Sequence, residues 1–329
     1  MDIGPGLIVV LALVLGAEFV NGFTDAPNAI ATVVATRVLR PYHAVILAAI
    51  FNLVGAMCGL AVAKTIGKGI VETEAINLAT VGAAMTGIIV WSTVAWVYGL
   101  PTSESHALVS GLAGAALANA GPEVLLAAGW RKVLIGIGFS TFLGFGGGLV
   151  LMILLYWVCR RLTPRTVKAV FGRLQMLSAM FMAFGHGTND GQKFIGVFTL
   201  GLVLGGVLPD FEVPRWVILV CAGTMGVGTA FGGWRIIRTM GMRLTKLEPV
   251  HGFAAETGAA CAIQLASVLG IPVSTTHTIN TSIMGVGATR RLSAVKWGVG
   301  KEIVTAWILT FPVCGAIAWV IAQIVKLFS

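Results

Sequence analysis

The sequence predicts an all-α integral membrane protein built from two inverted-topology repeats, with discontinuous helices and re-entrant helical hairpins. Three observations carry this. The 329 residues are 57% hydrophobic and only 11% charged, with a mean hydropathy of +0.92. A soluble domain carries about 25% charged residues to cover its surface, so lipid is the expected main solvent. Second, long apolar runs recur without strand-like alternation, which excludes an outer-membrane barrel. Third, two motifs each occur twice, in the same order.

Taken in chain order, Leu7–Val20 supplies the first helix. The N-terminal Met-Asp-Ile-Gly-Pro lacks the basic segment of a signal peptide, so this run is expected to stay in the membrane. A break is expected across 21–28, because Pro27 disfavours helix at Ala26 and Gly22 loosens the backbone. Ala44–Ala63 is the next helix. Val81–Tyr98 then leads into a helix–turn–helix with Gly99-Leu-Pro-Thr-Ser103 at its turn. Val133–Val158 closes the first repeat, residues 1–158. A basic segment, 159–173, reads as a cytoplasmic linker. The second repeat, 174–329, repeats the order with runs at Leu174–Leu208, Val217–Gly233, Ala259–Gly270 and Ile303–Leu327.

The duplication is visible in particular residues. Phe19, Gly22 and Asp25 align with Phe184, Gly187 and Asp190, an offset of 165. Gly99, Pro101, Ser103 and His106 align with Gly270, Pro272, Ser274 and His277, an offset of 171. Each half makes an odd number of crossings in this reading, so the halves are inverted, an arrangement common in secondary transporters. The charges fit. Arg37, Arg40, Arg160, Arg161, Arg165, Lys168, Arg173, Arg235, Arg238, Arg243, Lys246, Arg290, Arg291, Lys296 and Lys301 fall on one side, against Lys64, Lys68, Arg131, Lys132, Arg215 and Lys326 on the other. The richer side is expected to be cytoplasmic, which places both termini on the non-cytoplasmic side of the cell membrane. The same rule accounts for the net charge of +9 without invoking nucleic acid. The five cysteines show no CxxC spacing and suggest neither disulfide nor metal site.

Ionisable groups inside a membrane are costly and usually functional. Gly-x-Pro-x-Ser-x-(Ser/Thr)-His describes a helix start: Pro suits the first turn, and the free N–H groups there attract anions. Two such starts carry Ser103, Ser105, Ser274, Thr275 and Thr276, a set of hydroxyls suited to a tetrahedral oxyanion. Asp25 and Asp190 are expected to hold a coupling cation or proton, or to accept a hydrogen bond from a P–OH group. Glu256 breaks the repeat, since its counterpart is Met85; it reads as a proton site or an ion-pair partner. Glu18 reads as interfacial or functional, and Glu104 as facing water at the hairpin mouth.

These motifs resemble the inorganic phosphate transporter (PiT) family of phosphate:cation symporters, over nearly the whole chain. The resemblance implies a homodimeric membrane transporter, not an enzyme, working by alternating access with no cofactor. It carries phosphate contacts onto Ser103, Ser105, Ser274, Thr275 and Thr276, with Asp25, Asn28, Asn189 and Asp190 in the paired Asp motifs. Many members read Asn-Asp-x-x-Asn in both repeats. Here Thr24 precedes Asp25, and Lys193 stands where the second Asn would fall. A fixed ammonium there can replace a bound sodium ion. The pattern therefore looks more like the low-affinity bacterial members, which implies H+ coupling through Asp25, Asp190 or Glu256, with Na+ as the alternative. A divalent metal–phosphate complex is an alternative cargo. Other readings of the same residues are a sulfate or other oxyanion carrier, a passive channel, and an intramembrane serine hydrolase using Ser103 or Ser274 with His106 or His277.

Overall fold

The computed structural model describes residues 4–328; Met1–Ile3, part of the N-terminal stretch read above, lie outside the described residues. The chain is helical almost throughout. The first half contains α1 (Pro5–Ala35), α2 (Pro41–Ala56), α3 (Ala61–Gly69), α4 (Leu78–Val97), α5 (Glu104–Ala120), α6 (Ala127–Gly138) and α7 (Gly144–Cys159). The second contains α8 (Pro164–His186), α9 (Gln192–Leu204), α10 (Arg215–Phe231), α11 (Trp234–Arg238), α12 (Pro249–Val268), α13 (Thr275–Ala288) and α14 (Trp297–Phe328). π-helical turns at Phe139–Leu143 and Gly187–Gly191 join α6 to α7 and α8 to α9, and a third, Thr239–Arg243, extends α11.

Five helical stretches are long and apolar enough to span a bilayer: Pro5–Ala35, Leu78–Val97, Ala127–Cys159, Pro164–Leu204 and Trp297–Phe328. Two bent pairs raise this to seven if each is one span. They are α2 with α3, bent by 71°, and α10 with Trp234–Arg243, bent by 61°. The chain is thus an all-helical, multi-span membrane protein with broken spans. The basic segment 159–173 contributes only a short turn, because Thr163 caps α8 (its hydroxyl accepts the Thr166 N–H) and Pro164 opens the helix.

Helix ends follow local chemistry. Pro5, Pro41 and Pro249 occupy first turns, where a missing N–H costs nothing. Asn77 and Thr80 cap α4 reciprocally. Both hairpin turns end a helix in the same way. Leu100 N–H reaches Ala95 O and Ile271 N–H reaches Ala266 O, over Gly99 (φ 68°) and Gly270 (φ 64°). This left-handed closure favours glycine at those two positions.

Two expectations about the Asp motifs change. α1 is continuous through Pro27. Proline removes one hydrogen bond within the helix, and Gly233 approaches closely at that point: a Cβ on it would lie 2.7 Å from Phe23 O and 2.8 Å from Pro27 Cγ. Gly22 does not loosen the backbone but allows close packing, and Gly187 does the same in the second motif. A Cβ on Gly22 would lie 2.5 Å from Met225 O, and one on Gly187 would lie 2.1 Å from Asn52 O. The discontinuity at the second motif is the π turn around Asp190.

Packing pairs come in matched sets. α1 packs on α10 as α8 packs on α2, and α1 on α4 as α8 on α12. The closing helices cross over: α14 packs on α5, and α7 packs on α13. Two apolar clusters result. One is centred on Val81, Ile88, Leu108 and Phe194, the other on Ile30, Met182, Ile263 and Ile283.

Candidate substrate and cation site

The two hairpins bring the starts of α5 and α13 together in the protein interior. Ser103 and Ser274 are their N-caps, accepting the N–H groups of His106 and His277 at 3.2 Å each. His106 and His277 meet edge to face, with ring centroids 4.5 Å apart. Ser105 Oγ donates across the contact to Val273 O at 2.7 Å. The serines thus serve as caps. Neither His106 nor His277 hydrogen-bonds a serine through its ring among the described residues, so the activated nucleophile a serine hydrolase needs is not formed.

Against these helix starts lie the Asp motifs. Asn28 Nδ2 on α1 donates to Thr275 Oγ1 (3.1 Å) and Thr276 Oγ1 (3.0 Å). Thr275 Oγ1 donates to Asp190 Oδ2 at 2.8 Å, and Thr276 Oγ1 lies 3.4 Å from both Asp25 oxygens. Lys193 Nζ donates to Asp190 Oδ1, to Ser105 Oγ and, at 2.9 Å, to Val273 O. Each of these side chains is buried; Lys193 and Asp190 are 1% exposed. An ammonium three residues after a carboxylate falls on the same helix face. The π turn places both toward the second hairpin.

His186 belongs to this cluster, although the sequence marked it only as a buried-segment ionisable group and gave it no site role. Its Nε2 lies 3.3 Å from Asp190 Oδ2 and 3.8 Å from Asp25 Oδ2. Its Nδ1 lies 3.1 Å from Asn52 Oδ1, and Asn52 in turn donates to Thr229. The signal was its spacing: His186 is four residues before Asp190, one turn along the same face. Asp25, His186 and Asp190 offer ligand atoms within 4.8 Å of one another, a donor set that suits a small cation.

Other expected residues sit elsewhere. Asn189 faces the hairpin backbone: its Oδ1 accepts Val273 N–H (3.2 Å), and its Nδ2 donates to Ser267 Oγ and Ile271 O. It holds the turn in place. Glu256 lies apart from both aspartates, between α1 and α8. It accepts from Thr32, Ser178 and, at 3.1 Å, Gln175. No salt bridge pairs it among the described residues, so the ion-pair alternative falls away. Glu104 is 2% exposed rather than facing water, because Thr24 (3.0 Å) and Ser92 (2.7 Å) donate to it inside the bundle. Glu18 is fully buried, accepting from Asn21 Nδ2 at 2.9 Å.

The arrangement can therefore hold opposite charges side by side. Its hydroxyls, helix N-termini and ammonium are groups that suit an anion, and its carboxylates and imidazole are groups that suit a cation or proton.

Comparison with known proteins agrees with this chemistry. A family model described as "Phosphate transporter family" matches twice, over residues 21–165 and 159–318. A probable low-affinity inorganic phosphate transporter of Rhizobium meliloti is 46% identical over 316 residues, covering 95% of each chain. One of Bacillus subtilis is 40% identical, covering 97% of each, and one of Mycobacterium leprae is 39% identical, covering 98% of this chain and 79% of its own. A solved structure described as the sodium-dependent phosphate transporter shares the fold, with a TM-score of 0.91 over 99% of this chain and 100% of its own at 24% identity. The twofold match spans nearly the whole sequence and coincides with the duplicated motifs, and on these grounds the chain belongs to the phosphate transporter family, the PiT family.

Proposed function

We propose that this chain imports inorganic phosphate by cation symport through alternating access, with protons rather than sodium as the coupling ion. The observation that carries this is the buried meeting of two capped helix starts with Asp25, Asp190 and Lys193. Phosphate takes the hydroxyls of Ser105, Thr275 and Thr276 and the free N–H groups that follow Ser103 and Ser274, with Asn28 alongside. Asn189 acts by holding the turn. Membership of a transporter family leaves the hydrolase reading without support.

Lys193 favours the proton over sodium. Its ammonium already lies among Asp190 Oδ1, Ser105 Oγ and Val273 O, oxygen ligands that a sodium ion would use. Asp25, Asp190 and Glu256 are the proposed proton carriers. The matched packing of the halves supports two inverted repeats, 1–158 and 174–329, with re-entrant hairpins at Gly99 and Gly270, and the distribution of basic residues supports both termini on the non-cytoplasmic side. A homodimer in membrane lipid is the proposed assembly.

The test is radiolabelled phosphate uptake into proteoliposomes under an inward proton or sodium gradient, repeated with Asp190→Asn. Proton-driven accumulation that the variant abolishes is expected. Accumulation under sodium alone would overturn proton coupling, and transport of sulfate in preference to phosphate would overturn the substrate.

A further inference from the structure

Two cavities open at the protein surface outside the buried site, at places related by the repeat. One, of about 610 Å³, lies between α3, the start of α6 and the second hairpin turn, and presents Lys64, Lys68 and Lys132. The other, of about 490 Å³, lies between the first hairpin turn and α11, and presents Arg235, Arg238 and Arg243. Neither lining contains an acidic residue.

They share two features, although only the lysine cavity has a wall from α6. Thr65 Oγ1 donates to Gly270 O at 2.8 Å in the lysine cavity, and Thr239 Oγ1 donates to Gly99 O at 3.0 Å in the arginine cavity. Each holds a hairpin turn by its glycine carbonyl. Each cavity also has one cation set against an aromatic ring, Lys68 over Phe211 and Arg235 over Trp96, both at 5.4 Å. Lys132 Nζ donates to Thr65 Oγ1 at 3.3 Å. Arg243 pairs with Glu302 at 3.6 Å. Among the described residues, Lys64, Lys68, Lys132, Arg235 and Arg238 have no carboxylate within 4.0 Å.

The bias of basic residues toward cytoplasmic loops accounts for the arginine cavity but not for the lysine cavity. Lys64, Lys68 and Lys132 belong to the poorer side of the charge distribution. Unpaired cations in a concave, low-dielectric wall focus the field and concentrate anions. We propose that the lysine cavity is a docking vestibule in which the phosphate dianion rests on Lys64, Lys68 and Lys132 before reaching the buried site, and that the arginine cavity is its counterpart at the other face. This rests on the phosphate-carrier reading. The same cations would also suit the phosphate group of a lipid headgroup, and the test separates the two.

The experiment measures the KM for phosphate uptake by cells lacking their own phosphate carriers, for the full chain and for Lys64→Gln/Lys68→Gln. A dianion about 8 Å from each charge gains roughly twofold per lysine at about 0.15 M salt and about fourfold per lysine at about 0.01 M. The double variant should therefore raise KM about fourfold at the higher salt and more than tenfold at the lower, with Lys64→Arg/Lys68→Arg close to the parent. Unchanged KM and unchanged salt dependence in a variant that still transports would overturn the vestibule. Absence of phosphate uptake by the parent chain would instead overturn the function it rests on, and the vestibule with it. The same comparison in proteoliposomes of phosphatidylcholine alone should retain the KM difference; a difference seen only when phosphatidylglycerol is added would assign the cavity to lipid and overturn the proposal.

Discussion

Replacing Lys193 with asparagine removes the one ammonium inside the buried cluster and leaves its oxygen partners, Asp190 Oδ1, Ser105 Oγ and Val273 O, facing a gap. Breaking a buried ion pair by deleting one partner costs about 3–5 kcal/mol, because the other charge stays desolvated. A cation that binds only the folded state returns part of this. At a hundred times its Kd, sodium would restore about 2.7 kcal/mol. Lys193→Asn should therefore unfold at a lower temperature than the parent in choline buffer and recover more than half of the loss in sodium buffer, while the parent responds to neither. In proteoliposomes the variant should gain uptake driven by a sodium gradient. A parent protein already driven by sodium, or a variant insensitive to sodium in both assays, would refute the idea that the ammonium occupies a cation's place.

Thr275→Val removes a hydroxyl that donates to Asp190 at 2.8 Å and accepts from Asn28 at 3.1 Å. Hydrogen bonds to charged groups contribute about 1.5–3 kcal/mol, so KM for phosphate should rise roughly ten- to a hundredfold, with Thr275→Ser nearly unaffected in the same uptake assay. Glu256→Gln should abolish accumulation driven by a pH gradient yet leave phosphate–phosphate exchange in counterflow measurements, since Glu256 lies apart from the hydroxyl cluster. Asn189→Ala should lower thermal stability by about 1–3 kcal/mol by freeing Val273 N–H and Ile271 O. Gly129→Ala should yield little monodisperse protein on size-exclusion chromatography, because its Cβ would fall 1.6 Å from Gly69 O.

Much of this architecture was legible because duplication writes itself into spacing. The offset between Ser103 and Ser274 located both helix starts, and the capping chemistry of Gly-x-Pro-x-Ser located the turns. What the sequence did not carry was set by packing between distant elements. Pro27 reads as a break, yet α1 runs through it, with Gly233, far along the chain, packed close against that turn. Glu104 reads as a hydrophilic residue at a turn, yet Thr24 on another helix satisfies it inside the bundle. Asn189 was grouped with the phosphate ligands by its motif, and only the path of the hairpin shows that its amide is already engaged there. Asn52, which orients His186, belongs to no duplicated motif and left no trace in spacing.

The exchange of closing helices bears on how such a chain is made. α14 is made after every other described helix, yet it covers α5 in the first half, while α7, made much earlier, waits for α13. The first half therefore cannot finish its packing until the second is made. Only the short turn at Arg160–Thr163 joins the two, and separately translated halves divided there should still assemble into one transporter, read as phosphate uptake on co-expression.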